Sequence, residues 1–136
     1  MNTFRNLARL TPADRARLAE AFVLIVCVRI GLHVLSFPEL TRRLDRRAQS
    51  GPNQRDILSR ITWAVGAVTR RLPGTTCLAE ALTACTMLRR HGYDATLRIG
   101  ARSGASTVLE AHAWVECRGE VVIGHVPELE DYAVLT

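Results

Sequence analysis

Two residues in this 136-residue chain have the type and setting that nucleophilic chemistry needs. Cys77 follows the turn sequence Pro73-Gly74-Thr75-Thr76 and opens an apolar helical pattern through Leu78, Leu82, Cys85 and Leu88. A thiol at a helix N-terminus meets the positive end of the macrodipole and backbone N–H groups without intrahelical acceptors. Both favour the thiolate, the reactive form, and the same N–H groups can hold a developing oxyanion. His112 is the natural partner. On a strand, His112, Trp114 and Glu116 share one face while Ala111, Ala113 and Val115 share the other. A helix end packed across a sheet would join Cys77 to His112 although they stand 35 positions apart. Each residue alone reads more simply as a core cysteine or a core histidine. Together they fit the logic of an activated nucleophile and its base.

The other candidates for chemistry are few. Cys85 falls two turns down the helix from Cys77 and belongs to the core, Cys27 lies in an apolar run, and Cys117 ends a strand on the face opposite His112. No CxxC pair supports a metal site, so no metal is expected. All 18 basic side chains are arginine. Without lysine, Schiff-base chemistry and a P-loop are excluded.

The elements that must position these residues are legible in outline. Thr11-Pro12-Ala13-Asp14 is a helix start, with Thr as N-cap and Pro at the first helical position, and the helix should run to about Leu35 before Pro38. A short helix is expected over Glu39–Ala48. Ile57, Ile61, Val65, Val68 and Leu72 mark one face of a helix over about Arg55–Arg71. The next helix spans Cys77–His91, with Gly92 as its C′ residue. The texture then changes to alternation. Asp94–Gly100 reads as a strand, 101–107 as a loop, and Val108–Cys117 with Glu120–Ile123 as a hairpin about Arg118-Gly119. Tyr132–Leu135 reads as a last short strand. The expected fold is α+β in one domain over 1–136: a basic helical part, 1–72, and a core, 73–136, with an antiparallel sheet.

Charge is uneven along the chain. Residues 1–72 carry 13 Arg against 5 acids, and residues 73–136 carry 5 Arg against 8 acids. The basic half can attract an acidic peptide or partner protein. Seven aromatic residues supply no stacking platform for nucleic acid, and none is expected as a partner. The stretch Ala21–Phe37 is broken by Arg29 and His33, short of the ~20 apolar residues of a membrane span. It reads as a core helix whose surface from Phe22 to Val34 needs cover from a partner or a membrane. With no signal peptide in MNTFRNLARL, a cytoplasmic location with reduced thiols is expected.

The series Cys77-Leu78-x-x-Ala81-Leu82, then Leu88-Arg89-Arg90-x-Gly92-Tyr93-x-Ala95-x-Leu97-x-Ile99-Gly100, then Ala111-His112-Ala113-Trp114-Val115-Glu116 resembles the transglutaminase-like cysteine proteases of lasso peptide biosynthesis. The match is close over 73–125. The apolar first helix, Phe37-Pro38 and Arg42-Arg43 extend it to the standalone form of those leader peptidases. The resemblance implies a papain-like core with a Cys-His-Asp triad, Cys77 as nucleophile and His112 as base. It implies a precursor peptide as substrate, a separate leader-recognition protein, an ATP-dependent cyclase downstream and no cofactor. Arg42, Arg43, Arg46 and Arg47, with Trp114, are expected to contact the leader or the partner.

One position departs from the family. Its triad Asp has no counterpart in Val121-Val122-Ile123-Gly124-His125-Val126-Pro127-Glu128. A two-residue turn at Arg118-Gly119 sets His112 opposite His125 by counting back, and a three-residue turn sets it opposite Gly124. His125 is the expected orienter by position, with Glu128 or a water as the other choices. Glu116, about 13 Å along the strand, is too far. The vacant Asp leaves a second reading, a non-catalytic adaptor that binds peptide or partner on the same fold.

Overall fold

A computed structural model describes residues 10–44, 55–103 and 109–135, less the side chains of residues 55 and 56. Four helices come first: α1 (Pro12–Val34), α2 (Phe37–Leu44), α3 (Arg55–Arg71) and α4 (Cys77–Arg90). Four strands follow: β1 (Ala95–Ser103), β2 (Leu109–Cys117), β3 (Glu120–Ile123) and β4 (Ala133–Val134), with a 3₁₀ turn at Leu129–Asp131. The sheet is antiparallel in the order β3-β2-β1-β4. This is an α+β fold, with the helices first and a small antiparallel sheet after them.

The helix ends follow local chemistry. Thr11 caps α1 by accepting from the Asp14 N–H at 3.2 Å, and Pro12 stands in the first turn, where its missing N–H costs nothing. Asp14 is buried and paired with Arg17 at 3.1 Å and with Arg60 of α3 at 3.5 Å, which ties the two helices together. At the end of α4, Gly92 (φ 86°) donates to the Arg89 carbonyl and Tyr93 to the Leu88 carbonyl. That is a Schellman cap, and its left-handed residue favours glycine.

One core joins α1, α3, α4 and the inner face of the sheet. Ile25, Ile61, Val65, Leu88 and Val115 are fully buried in it. From β2 it takes Ala113, Val115 and Cys117, alternate residues of one face. A second cluster of Val28, Leu40, Ala79 and Leu82 seats α2 against α1 and α4. There Gly31 lets Leu40 approach, since a Cβ on Gly31 would lie 2.6 Å from Leu40 Cδ1.

Two boundaries and one register differ from the sequence expectation. α2 starts at Phe37 rather than Glu39, because its first residues pack into the second cluster; its expected end at Ala48 lies outside the described residues. β1 runs to Ser103, through positions expected to be loop, because β2 pairs with it along its whole length and β4 takes its other edge at Gly100 and Ala101. The β2–β3 register also departs, with consequences for the site.

Candidate active site

Cys77 is the first residue of α4. Thr76 caps the helix by accepting from the Ala79 N–H at 3.2 Å. The N–H groups of Cys77 and Leu78 precede the first intrahelical bond and have no acceptor within the helix. Cys77 is half-buried against the main core. Gly74 (φ 79°) makes the turn before it, and a Cβ there would meet the Arg29 guanidinium of α1 at 3.4 Å. Arg29, which in the sequence only interrupts an apolar run, thus brings a cation to the turn that leads into Cys77. Only the tertiary packing of α1 reveals this placement.

His112 sits on β2 opposite Gly100 of β1. Its Nε2 lies 2.6 Å from the carbonyl oxygen of Gly124. A carbonyl only accepts, so Nε2 carries the hydrogen and Nδ1 is left free for proton exchange. The ring is stacked against Trp114 (6.1 Å between centroids, 20° between planes) and tilted against Tyr132 (5.7 Å). Trp114 is 3% exposed and donates its indole N–H to Glu116 at 3.0 Å, and Arg98 donates to the other Glu116 oxygen at 3.3 Å. The indole packs over β1 because Gly100 has no side chain. A Cβ there would be 2.8 Å from Trp114 Cη2. Arg102, held by Glu110 at 2.7 Å, lies 5.0 Å over the Tyr132 ring. Its guanidinium pKa is raised by the Glu110 hydrogen bond.

Cys77 and His112 each lie back along their own element from the point where α4, β1 and β2 meet. Cys85 Sγ and Arg89 Nε both reach the Ala95 carbonyl (3.7 and 2.9 Å), and Ala95 pairs with Cys117. Cys77 is two turns, about 12 Å, back along α4 from Cys85. His112 is five residues, about 17 Å, back along β2 from Cys117. The two side chains are not joined, however. Ala113, Val115 and Cys117 turn toward α4, so strand alternation sets His112, Trp114 and Glu116 on the other face. Among the described residues, no hydrogen bond links Cys77 to His112. The β3 ladder stops at Ile123, so that edge of β2 is unpaired by β3 around His112.

The hairpin corrects the expected orienter. The turn at Arg118-Gly119 has two residues, and Cys117 pairs with Glu120 as counted from the sequence. Glu116 then pairs with Val121 but Val115 with Ile123, so Val122 is an extra, bulged residue. The count beyond it no longer sets His112 opposite His125. The Gly124 carbonyl, not the His125 side chain, meets Nε2. Gly124 (φ 83°) comes so close that a Cβ would lie 2.8 Å from the Ala113 oxygen. His125 is exposed and lines a cavity of about 440 Å³ with Trp114, Glu116, Glu130 and Tyr132.

The expected contact residues divide. Trp114 is buried, so it contributes to that cavity wall rather than to an open surface. Arg42 and Arg43 are exposed on α2 and both bind Glu39, at 2.5 and 3.2 Å. Arg46 and Arg47 lie outside the described residues. Among the described residues no three His, Cys, Asp or Glu side chains converge as a metal site would.

Residues 22–136 match the family model of the transglutaminase-like superfamily. The chain belongs to that superfamily. No curated protein and no solved structure matches it. Transglutaminase-like proteins include cysteine peptidases, so the family points to cysteine protease-like activity in general. No described helix of this transglutaminase-like chain is long and apolar enough to cross a membrane.

Proposed function

We propose that this protein is a cysteine peptidase that removes the leader from a ribosomally made lasso peptide precursor. The observation that carries the reading is Cys77 at the first position of a capped helix, within a transglutaminase-like chain. The motif resemblance to lasso leader peptidases narrows the substrate.

In this reaction the Cys77 thiolate attacks the carbonyl carbon of the last leader residue. The oxyanion is held by N–H groups at the start of α4. His112, as the imidazolium, gives its proton to the departing amine of the core peptide, and the C–N bond breaks. Water then hydrolyses the thioester, with His112 taking its proton, and the thiol is regenerated. Cleavage requires Nδ1 of His112 to come from the sheet face turned away from α4 to the thiol when substrate binds. The Gly124 carbonyl serves as orienter where the family has its Asp. The basic helices, Arg42 and Arg43 among them, offer a docking face for an acidic leader or a recognition protein. The freed amine is the group an ATP-dependent cyclase would join to a side-chain carboxylate.

The test is mass spectrometry of a candidate precursor incubated with this protein, with and without its recognition partner. Cleavage is expected with the wild type and lost in Cys77→Ala with the melting temperature preserved. Charge reversal at Arg42 and Arg43 is expected to weaken cleavage and leave the fold intact. A second reading, a non-catalytic adaptor on the same fold, is favoured by the unjoined Cys77 and His112. It predicts precursor or partner binding that Cys77→Ala leaves unchanged, and no cleavage.

A further inference from the structure

The inner face of α1 supplies Ala21, Leu24, Ile25 and Val28 to the buried clusters. Its outer face is also apolar. Phe22, Val23, Ile30 and Val34 are 49, 57, 58 and 74% exposed. Ala16, Ala19, Val23, Val26, Ile30 and His33 follow one another at alternating steps of three and four residues. All but the half-buried Val26 are exposed. A three–four alternation is the seam of a helix that packs along another helix.

The order of sizes along the seam selects the partner. Small residues, Ala16 and Ala19, occupy its N-terminal half, and Ile30 and His33 its C-terminal half. A second copy of the same helix, run antiparallel about a twofold axis between positions 24 and 25, sets Ala19 against Ile30, Ala16 against His33 and Val23 against Val26. Each large side chain meets a small one, and the central layer is valine on valine. A parallel copy would set alanine on alanine and leave voids. A lipid surface would favour bulky anchors along the face, where this helix has two alanines.

We propose that this protein forms an antiparallel homodimer through the outer face of α1. The contact is isologous, as twofold dimers require. α1 has 23 residues and is about 35 Å long. One helix pair of that length buries less than the ~800 Å² per partner of a standard interface. The dimer is therefore expected to be weak and concentration-dependent.

Sedimentation equilibrium of the full chain should show a monomer–dimer equilibrium. Val23→Glu should raise the dissociation constant at least a hundredfold with an unchanged circular dichroism spectrum, since Val23 touches no core. Geometry is tested in a Cys27→Ser background. Under mild oxidation a mixture of Ala19→Cys and Ile30→Cys proteins should form a 19–30 disulfide dimer, whereas neither protein alone should do so. In the antiparallel pair, like positions are about 16 Å apart along the axis. A wild type that stays monomeric at 200 μM overturns the proposal. So does a dimer that survives Val23→Glu, or cross-linking of each single variant with itself. Binding of the monomer to anionic vesicles, lost in Val23→Glu, would assign the face to lipid instead and overturn it as well.

Discussion

With Nε2 of His112 donating to the Gly124 carbonyl, Nδ1 is the nitrogen left to exchange protons. The carbonyl thereby fixes the ring's tautomer. Gly124→Ala should disturb this support directly, because the residue has φ 83° and a Cβ would strike the Ala113 oxygen. The expected cost is about 1–3 kcal/mol of stability, measured by urea unfolding, together with lower cleavage. The cysteines form a graded series. Cys27 is exposed and Cys77 half-exposed, whereas Cys85 and Cys117 are buried. Desolvation raises the Cys117 thiol pKa further. Alkylation at pH 8 followed by peptide mass mapping should therefore label Cys27 and Cys77 well before Cys117. The same shift has a stability sign. The unfolded thiol ionises first as pH rises, so the native state loses the contribution of the protonated Cys117 thiol above the ordinary thiol range.

At the scale of elements, α4 matters most, because its first turn carries Cys77. Thr76→Ala removes the side-chain acceptor for the Ala79 N–H and should cost about 1 kcal/mol, while Thr76→Ser should keep most of it; thermal unfolding of both variants checks this. On α2, hydrogen bonds from Arg42 and then Arg43 lower the Glu39 pKa. Its folded value lies below its unfolded one, so this contribution holds above the ordinary carboxylate range and is lost as pH falls through the folded value. An NMR titration should find the Glu39 midpoint below that range, and moved upward in the Arg42→Ala/Arg43→Ala variant. The same helix shows what an acidic docking partner must compete with. Two of the four expected contact arginines are already engaged by a carboxylate of their own helix. Most elements were legible beforehand. The Thr11-Pro12 start, the α3 face from Ile57 to Leu72 and the Gly92 stop are local signals, readable within one turn of helix. The extension of β1 to Ser103 was not, because it depends on partners on both edges.

For the whole molecule, α1 decides how much surface is buried. Ile25 is fully buried where α1, α3 and α4 meet. Ile25→Ala should cost about 2–5 kcal/mol by the lost transfer energy and the cavity left behind. Val23→Ala, two residues away on the outer face, should stay within ~0.5 kcal/mol for the monomer. Urea titration of both at a concentration below dimerisation separates the two faces. The uneven charge also acts at this scale, since the arginine-rich half holds α1, α2 and α3 and the acidic half holds α4 and the sheet.

The sequence by itself determined the setting of Cys77 at a helix start, the bounds of α1, α3 and α4 to within a residue, the two-residue hairpin turn and the α+β order, because each follows from contacts between residues close along the chain. It also singled out His112 and the missing Asp through motif and spacing. Three things were decided only by tertiary structure. The bulge at Val122 comes from the fit of β3 against β2 and moves Gly124 to the histidine. Trp114 is buried because Gly100, on another strand, leaves room for it. The apolar pattern of α1 serves two faces, and only the packing of its neighbours determines which one is covered.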